Sequence, residues 1–377
     1  NSINNMKTKF LHIATALLFV GFTSSCSDFL DRYPLDELSD SSFWKTENDA
    51  MMAVTDIYGC LPTWDQDEDI NSDNAVHGIK WAAGNISKGV YDPMDQSWAG
   101  SYTPIRQCNL VLEKVKDIEM SDESRKKIEG QAYFFRAFVY FNLIRSFGDV
   151  PYIDKPLNLT DVEDITRTPR EEVYAKVMAD FDKAIEYLPE EWDAANTPRV
   201  TKGAALAMKA RAALYYNNWQ VAADASKAVM DLGKYELYDA GNTGKYQELF
   251  WEKSDGCDEN ILYVQFNYPD KTHYLIGWEC FPTLGWGGMN PTQSLVDAFE
   301  DKDGAPISKS TIYNEKDPFK NRDPRLEVNV LHDGEEMYGV TIKVKPLKSS
   351  GKTGIEQHGD ATATGYYQQK WLDPSID

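Results

Sequence analysis

Residues 121–151 read SDESRKKIEGQAYFFRAFVYFNLIRSFGDVP, and the reading of this stretch decides the fold. Ser121 stands where a helix N-cap belongs, and Ile128, Ala132, Phe135 and Val139 recur at helical spacing before Gly148 and Pro151 stop the pattern. From Ala132 to Ile144 nearly every position is apolar. A helix with no face to offer water must be central and buried. It needs other helices around it, so the chain is predicted to be mainly α.

The neighbours fit that expectation. TPRE at 168–171 predicts a second helix, with Thr168 as cap, Pro169 in the first helical position and Glu171 placed for a capping box. Val173, Val177, Phe181 and Ile185 form its apolar stripe, and Pro189 ends it. A helix pair follows, VTKGAALAMKARAALYYNN and WQVAADASKAVMDLG, from the cap Thr201 to the stop Gly233. Its length is that of a tetratricopeptide repeat. Gly203, Ala205, Ala212, Ala222 and Ala225 allow the two helices to cross closely, and Trp219 is expected to fill the space left by so many small residues. The repeat signature is partial, so the reading is of repeat-like pairs rather than a regular solenoid.

Beyond residue 233 the texture becomes rich in turns. Short β-like runs, ENILYVQFNY at 259–268 and RLEVNVL at 325–331, are broken by Gly, Pro, Asn and Asp. An irregular part carrying short hairpins is expected to lie over the helical body. Long irregular segments in compact proteins tend to carry function.

The N-terminus has a different logic. Met6, the expected start, is followed by Lys7 and Lys9, then the apolar FLHIATALLFVGF, then small residues ending at Cys26. That order is a secretory signal, too short to span a bilayer comfortably, and its ending on cysteine fits a bacterial lipoprotein acylated at Cys26. Thr23 stands where the strict motif prefers Leu. The predicted organisation is therefore a signal over 1–25, a lipid-proximal leash over 26–40, a helical body over 41–233 and a loop-rich part over 234–377.

The formal charge of −21 excludes attraction to nucleic acid or to an anionic membrane surface, and loss of Lys7 and Lys9 makes the body more acidic still. Membrane attachment would come from the lipid alone. Cys60, Cys108, Cys257 and Cys280 admit two disulfides in three connectivities, or four free thiols. A chain of this length builds a core without covalent staples, and Cys108 sits within an apolar pattern, which favours free thiols.

Few residues suggest chemistry. The histidines 77, 273, 332 and 358 show no metal-ligand spacing, and there is no C-x-x-C. GKT at 351–353 lacks the first glycine of a phosphate loop because Pro346 occupies its place. GWGGMN at 285–290 fails the dinucleotide pattern at Asn290, and GNISKG at 84–89 is one residue too long for a nucleophile elbow. DKDG at 301–304 opens like a calcium loop but lacks the later ligands. No catalytic residue, metal site or cofactor is predicted.

Aromatic rings are abundant, at 12% of residues with 10 Trp and 21 Tyr. Those in turn-rich segments have the least reason to be buried and could stack on the apolar faces of sugars. WDQDEDINSDNAVHGIKWAAG offers Trp64, Asp73, Asn74 and Trp81, and YDPMD adds Tyr91. WECFPTLGWGGMN offers Trp278, Phe281, Trp286 and Asn290. The rings would form a curved platform, with Asp73, Asn74 or Asn290 hydrogen-bonding hydroxyls.

Several stretches in order resemble the SusD/RagB family of Bacteroidetes surface lipoproteins: CSDFLDRYP, FWKTENDAMMAVTDIYG, SYTPIRQCNLVLE, QAYFFRAFVYFNLIRSFGDVPY, TRTPREEVYAKVMADFDKAIEYLP, RVTKGAALAMKARAALYYNNW, NPTQSLVDAFEDKDG and NRDPRLEVNVL. The resemblance implies tetratricopeptide-like helix pairs packing against a SusC-like TonB-dependent outer-membrane transporter. It implies a lid-like binder of oligosaccharide, or of peptide in RagB-like members, and not an enzyme. It suggests scaffold roles for Trp44, Tyr58 and Trp98, and places both aromatic segments in the loops that line the family's ligand groove. Family members continue beyond the segment resembling GYYQQKWLDP, so the sequence is read as incomplete at its C-terminus. The rival readings are a surface glycoside hydrolase, which needs two carboxyl groups across a cleft, and a passive helical scaffold.

Overall fold

The computed structural model describes residues 43–62, 66–78, 88–90, 98–238, 243–267, 269–346, 348–355 and 358–375. The signal, the leash with Cys26, and Trp64, Trp81 and Tyr91 lie outside them.

Among the described residues, six helices build the first part: α1 (Glu47–Ile57), α2 (Tyr102–Lys114), α3 (Asp122–Phe147), α4 (Arg170–Tyr187), α5 (Lys202–Tyr215) and α6 (Trp219–Asp231). α3 is the long helix at 121–151. The Ser121 hydroxyl accepts from the Ser124 N–H, one of the orphan donors of the first turn, and the helix ends at Gly148. Phe134, Phe135, Tyr140 and Phe141 are buried along it. From α2 onward each helix packs on the next, and α1 also packs on α2 and α3, which gives the repeat-like succession expected.

Two polar residues of α3, Gln131 and Arg136, are buried as well, because each finds partners. Arg136 donates through Nε and a terminal nitrogen to the two carboxylate oxygens of Asp180, each at 2.7 Å, and through its other nitrogen to Asn109 Oδ1 at 2.8 Å. Asn109 in turn donates to the Ile153 carbonyl at 2.9 Å. α2, α3, α4 and the connector after α3 are thus tied at one point.

Two local expectations are corrected. Thr168 does not cap α4: it forms a β-bridge with Val150, and its hydroxyl accepts from the Tyr152 N–H. Pro169 takes the cap position, and the Asp149 carboxylate accepts from the Arg170 N–H instead. Trp219 does not fill the space between α5 and α6; it is 61% exposed. The Tyr235 ring covers the start of α5 instead, lying so close over Gly203 that a Cβ there would stand 2.2 Å from the phenol oxygen.

The second part contains four helices of one or two turns, α7 (Thr243–Glu248), α8 (Leu275–Glu279), α9 (Gln293–Ala298) and α10 (Pro324–Asn329). Six short strands pair in twos: β1 (Ala75–His77) with β2 (Met289–Pro291), β3 (Val330–Leu331) with β6 (Tyr367–Gln368), and β4 (Glu336–Met337) with β5 (Val340–Thr341), all antiparallel. Of these only β4–β5 is a tight hairpin, turning through Tyr338 and Gly339, both with positive φ. RLEVNVL is not one strand. Asp323 caps α10 and Pro324 starts it, so only Val330 and Leu331 are extended. ENILYVQFNY is not a strand over its described residues: Asn267 makes a single bridge with Lys271, and Ile261, Leu262 and Val264 pack as an irregular strap against the helical core. A second core forms from Cys280, Phe281, Leu331, Met337, Ile342, Tyr367 and Leu372. Cys60, Cys108, Cys257 and Cys280 are free thiols.

Trp44, Tyr58 and Trp98 pack half-buried against the helical core. Tyr58 earns its place through its phenol, which donates to Gln131 Oε1 at 2.8 Å and accepts from the Val200 N–H at 2.9 Å.

Candidate functional site

The two segments that carried the aromatic candidates are brought together by the β1–β2 ladder. Val76 lies opposite Asn290, with Ala75 opposite Pro291 and His77 opposite Met289. At one end the Thr292 N–H donates to the Asn74 carbonyl at 2.8 Å and its hydroxyl to the Asp73 carbonyl. At the other end the Gly78 N–H donates to the Gly288 carbonyl at 3.1 Å. A Cβ on Gly78 would stand 1.8 Å from the Gly287 carbonyl oxygen, so this approach requires glycine.

Residues 274–288 fold back on themselves. α8 is a single turn, after which residues 286–288 return alongside it. The N–H groups of Trp286, Gly287 and Gly288 donate to the carbonyls of Gly277, Cys280 and Trp278 at 3.0, 2.7 and 2.8 Å. The glycines of LIGWECFPTLGWGG therefore serve close backbone approach rather than phosphate binding. A Cβ on Gly288 would meet Trp278 Cδ1 at 2.7 Å, and one on Gly277 would enter the Tyr274 ring.

This fold-back supports three rings. Trp286 meets Trp278 with centroids 5.5 Å apart at 63°, and Tyr274 at 6.0 Å and 68°. Trp278 is half-buried, whereas Trp286 is 44% exposed and Tyr274 60% exposed. Leu284 is exposed beside them in sequence. The exposed pair is a patch of aromatic surface on a backbone fixed by hydrogen bonds.

The other candidates divide. Phe281, expected to face a ligand, is fully buried against Tyr367 at 6.2 Å, a core ring because the turn after α8 points it inward. Asn290, expected to hydrogen-bond a ligand, is also fully buried; its amide donates to the Gly287 carbonyl at 3.2 Å and accepts from the Ala363 N–H at 2.9 Å. Asp73 is exposed and Asn74 half-buried, but both sit at the Thr292 end of the ladder, away from Trp286. Tyr274 was missed by sequence reasoning. Its signal was its position four residues before Trp278, one helical turn away on the same face.

The site's titratable groups do not suggest covalent chemistry. Burial pushes the Cys280 thiol and the Tyr367 phenol up to about 12 each, so both stay protonated near neutrality. Among the described residues no cluster of His, Cys, Asp and Glu could hold a metal ion. Asp301, at the start of DKDG, uses its carboxylate within its own loop, accepting from the N–H groups of Asp303 and Ala305 and from the Ser310 hydroxyl. What the surface offers is recognition by exposed rings, which suit an apolar face of a ligand.

Comparison with known proteins agrees with this architecture. Residues 29–214 match the SusD-like family described as "Starch-binding associating with outer membrane", and residues 250–377 match the SusD family proper. A SusD-like protein from Bacteroides fragilis has the same fold at a TM-score of 0.79 and 29% identity, over 92% of this chain and 72% of that one. A SusD-like carbohydrate binding protein from the same organism gives 0.77 at 25% identity, over 89% and 69%. SusD-like protein P2 of Formosa agariphila is 29% identical over 276 residues, 69% of this chain and 53% of that protein, so the chain spans about half the length of this curated relative. Family matches over both parts of the chain and the shared helical architecture lead to one conclusion: the chain belongs to the SusD/RagB family.

Proposed function

We propose that this protein is a cell-surface binder that captures oligosaccharide through the rings of Tyr274 and Trp286. The observation that carries this reading is their joint exposure on a turn whose backbone is fixed by three hydrogen bonds. Rings held in place lose little freedom on binding, and each would contribute roughly 1 kcal/mol by stacking on a sugar face. Support also comes from the B. fragilis relative, which is named as a carbohydrate binding protein. Trp64, Trp81 and Tyr91, outside the described residues, are assigned to ligand binding on the family resemblance, and Asp73 and Asn74 could contact only a ligand that reaches the Thr292 end of the ladder.

The protein is a binder and not a hydrolase in this reading. Its place is the outer membrane, facing outward on a lipid attached to Cys26, and its partner is a SusC-like TonB-dependent transporter. Among the described residues no helix is long and apolar enough to cross a membrane, in keeping with a lipid anchor. The exposed apolar side chains of the α5–α6 unit, Leu214, Tyr215, Trp219 and Met230, are the surface we assign to the transporter.

The test is a glycan array run beside a peptide library, with the wild-type protein and the Tyr274→Ala/Trp286→Ala variant. Glycan binding that disappears in the variant supports the reading. Peptide binding without glycan binding makes the protein RagB-like instead, and release of labelled sugar fragments would make it a hydrolase.

A further inference from the structure

A second concavity lies outside the ladder and the Tyr274–Trp286 pair. It is a cleft of about 660 Å³ whose walls come from the segments 249–256, 260–267, 271–276 and 371–373. That volume falls within the range of small-molecule sites, about 300–1,000 Å³.

Its walls combine rings and polar groups. Phe250 and Trp371 meet edge to face at 5.2 Å and 81°, Phe266 and His273 at 5.2 Å and 88°, and Trp251 and Tyr263 also line the cleft. Gln265, Asn267 and Thr272 are exposed on its rim, and none of their side chains hydrogen-bonds another described residue. The lysines near these rings lie over their faces: Lys271 over Phe266 at 5.1 Å, Lys253 over Trp251 at 5.0 Å and Lys370 over Phe250 at 4.3 Å. Glu252 and Asp255 are exposed on the same walls, so positive charge is not left to attract an anion. Rings take the apolar face of a sugar, while available amides and a hydroxyl take its hydroxyl groups. A neutral carbohydrate meets both requirements.

The cleft also adjoins the aromatic pair in sequence. His273, Leu275 and Ile276 line the cleft, and Tyr274 lies between them in sequence. The Gln368 amide, oriented to satisfy both neighbours, accepts from Trp371 Nε1 at 2.9 Å and donates to Glu279 Oε2 at 3.2 Å, which joins a cleft wall to the end of α8. The α8 turn thus links the two surfaces, with cleft-lining residues at its start and Tyr274 immediately before it. A ligand that touches both must be longer than one that fills either alone.

We infer that the cleft bounded by Trp251, Phe266 and Trp371 is a second carbohydrate subsite, which holds one end of a neutral oligosaccharide whose other end rests on Tyr274 and Trp286. The inference rests on the function proposed above and gives it a length requirement.

Fluorine NMR of the protein labelled with fluorotryptophan tests it, with resonances assigned by single Trp→Phe substitutions. Laminarihexaose, cellohexaose, maltohexaose, xylohexaose and mannohexaose are titrated in turn, followed by the disaccharide of the active one. The expected result is a hexasaccharide that moves the Trp286 resonance together with those of Trp251 and Trp371. Gln265→Ala/Thr272→Ala, two exposed changes that leave the cores intact, should then weaken that hexasaccharide about tenfold without altering the weaker disaccharide. Movement at Trp286 alone, with no effect of the double substitution, overturns the cleft as a subsite and leaves glycan binding standing. Movement at Trp251 and Trp371 alone supports the cleft and overturns the Tyr274–Trp286 platform. Silence at every ring across the panel overturns both.

Discussion

Arg136 holds Asp180 side-on inside the helical body, with Nε and a terminal nitrogen each 2.7 Å from one carboxylate oxygen, and both side chains are almost wholly removed from water. Removing one partner strands a buried charge. Asp180→Ala should therefore cost about 3–5 kcal/mol, whereas replacing both with apolar residues of similar volume, Arg136→Met with Asp180→Leu, should cost far less. Urea unfolding followed by helical circular dichroism measures the difference. Equal losses in the single and double variants would show that the pair is not coupled as the geometry requires.

The rings near α8 should separate stability from binding. Phe281→Ala opens a cavity in the second core and should cost about 3–5 kcal/mol. Trp286→Ala removes an exposed ring and should change stability by less than about 1 kcal/mol while weakening glycan binding roughly tenfold. Unfolding curves and calorimetric titration of the same two variants decide the matter, and a Trp286→Ala protein that binds as wild type contradicts the platform.

Gly288→Ala tests the seat of those rings. The added methyl would meet Trp278 Cδ1 at 2.7 Å and the Trp278 carbonyl oxygen at 2.9 Å, so the returning segment must move. Helical circular dichroism should stay unchanged while near-ultraviolet tryptophan signals shift and glycan affinity falls. An unchanged near-ultraviolet spectrum would show that the turn absorbs the methyl without moving the rings.

The loop at 301–310 predicts a pH dependence. The Ser310 hydroxyl, with the N–H groups of Ala305, Asp303 and Gly304, holds the Asp301 carboxyl below its ordinary value of 3.8. A depressed carboxyl stabilises the folded state above the unfolded value and loses that contribution as pH falls through the folded one. The stability difference between wild type and Asp301→Asn should accordingly be constant above about pH 5 and shrink below 3.8. A difference independent of pH down to the acid transition would contradict the assignment.

Trp219 offers a test of the partner surface. Trp219→Asp changes a ring that is 61% exposed and should leave the fold intact. Co-purification with the transporter from native membranes should drop. Undiminished recovery would place the contact elsewhere.

The helical body was legible because its signals are local. Ser121 and Thr201 cap as read, and the stripe through Val173, Val177 and Phe181 is buried as read. Thr168 misled because its competitor, Val150, comes from the far side of a connector. Trp219 misled because ring size does not say which way a ring faces, and the ring that covers Gly203, Tyr235, comes from outside the repeat-like pair. In the second part the ladders β1–β2 and β3–β6 join distant segments, so no local pattern announced them. Phe281 and Asn290 carry the same residue types as a ligand site, and only the direction of the turn after α8 distinguishes the buried Phe281 from the exposed Trp286. Tyr274 could have been found by extending the helical spacing one turn upstream.

The β1–β2 ladder has a kinetic consequence. The helices contact their sequence neighbours, which favours rapid assembly, but the ladder closes a loop of about two hundred residues, whose entropy must be overcome before its few hydrogen bonds form. Recognition surface should thus mature after the helical body, so a folding intermediate would be helical yet unable to bind. Refolding followed by far-ultraviolet signal and by ligand capture would then run on two clocks.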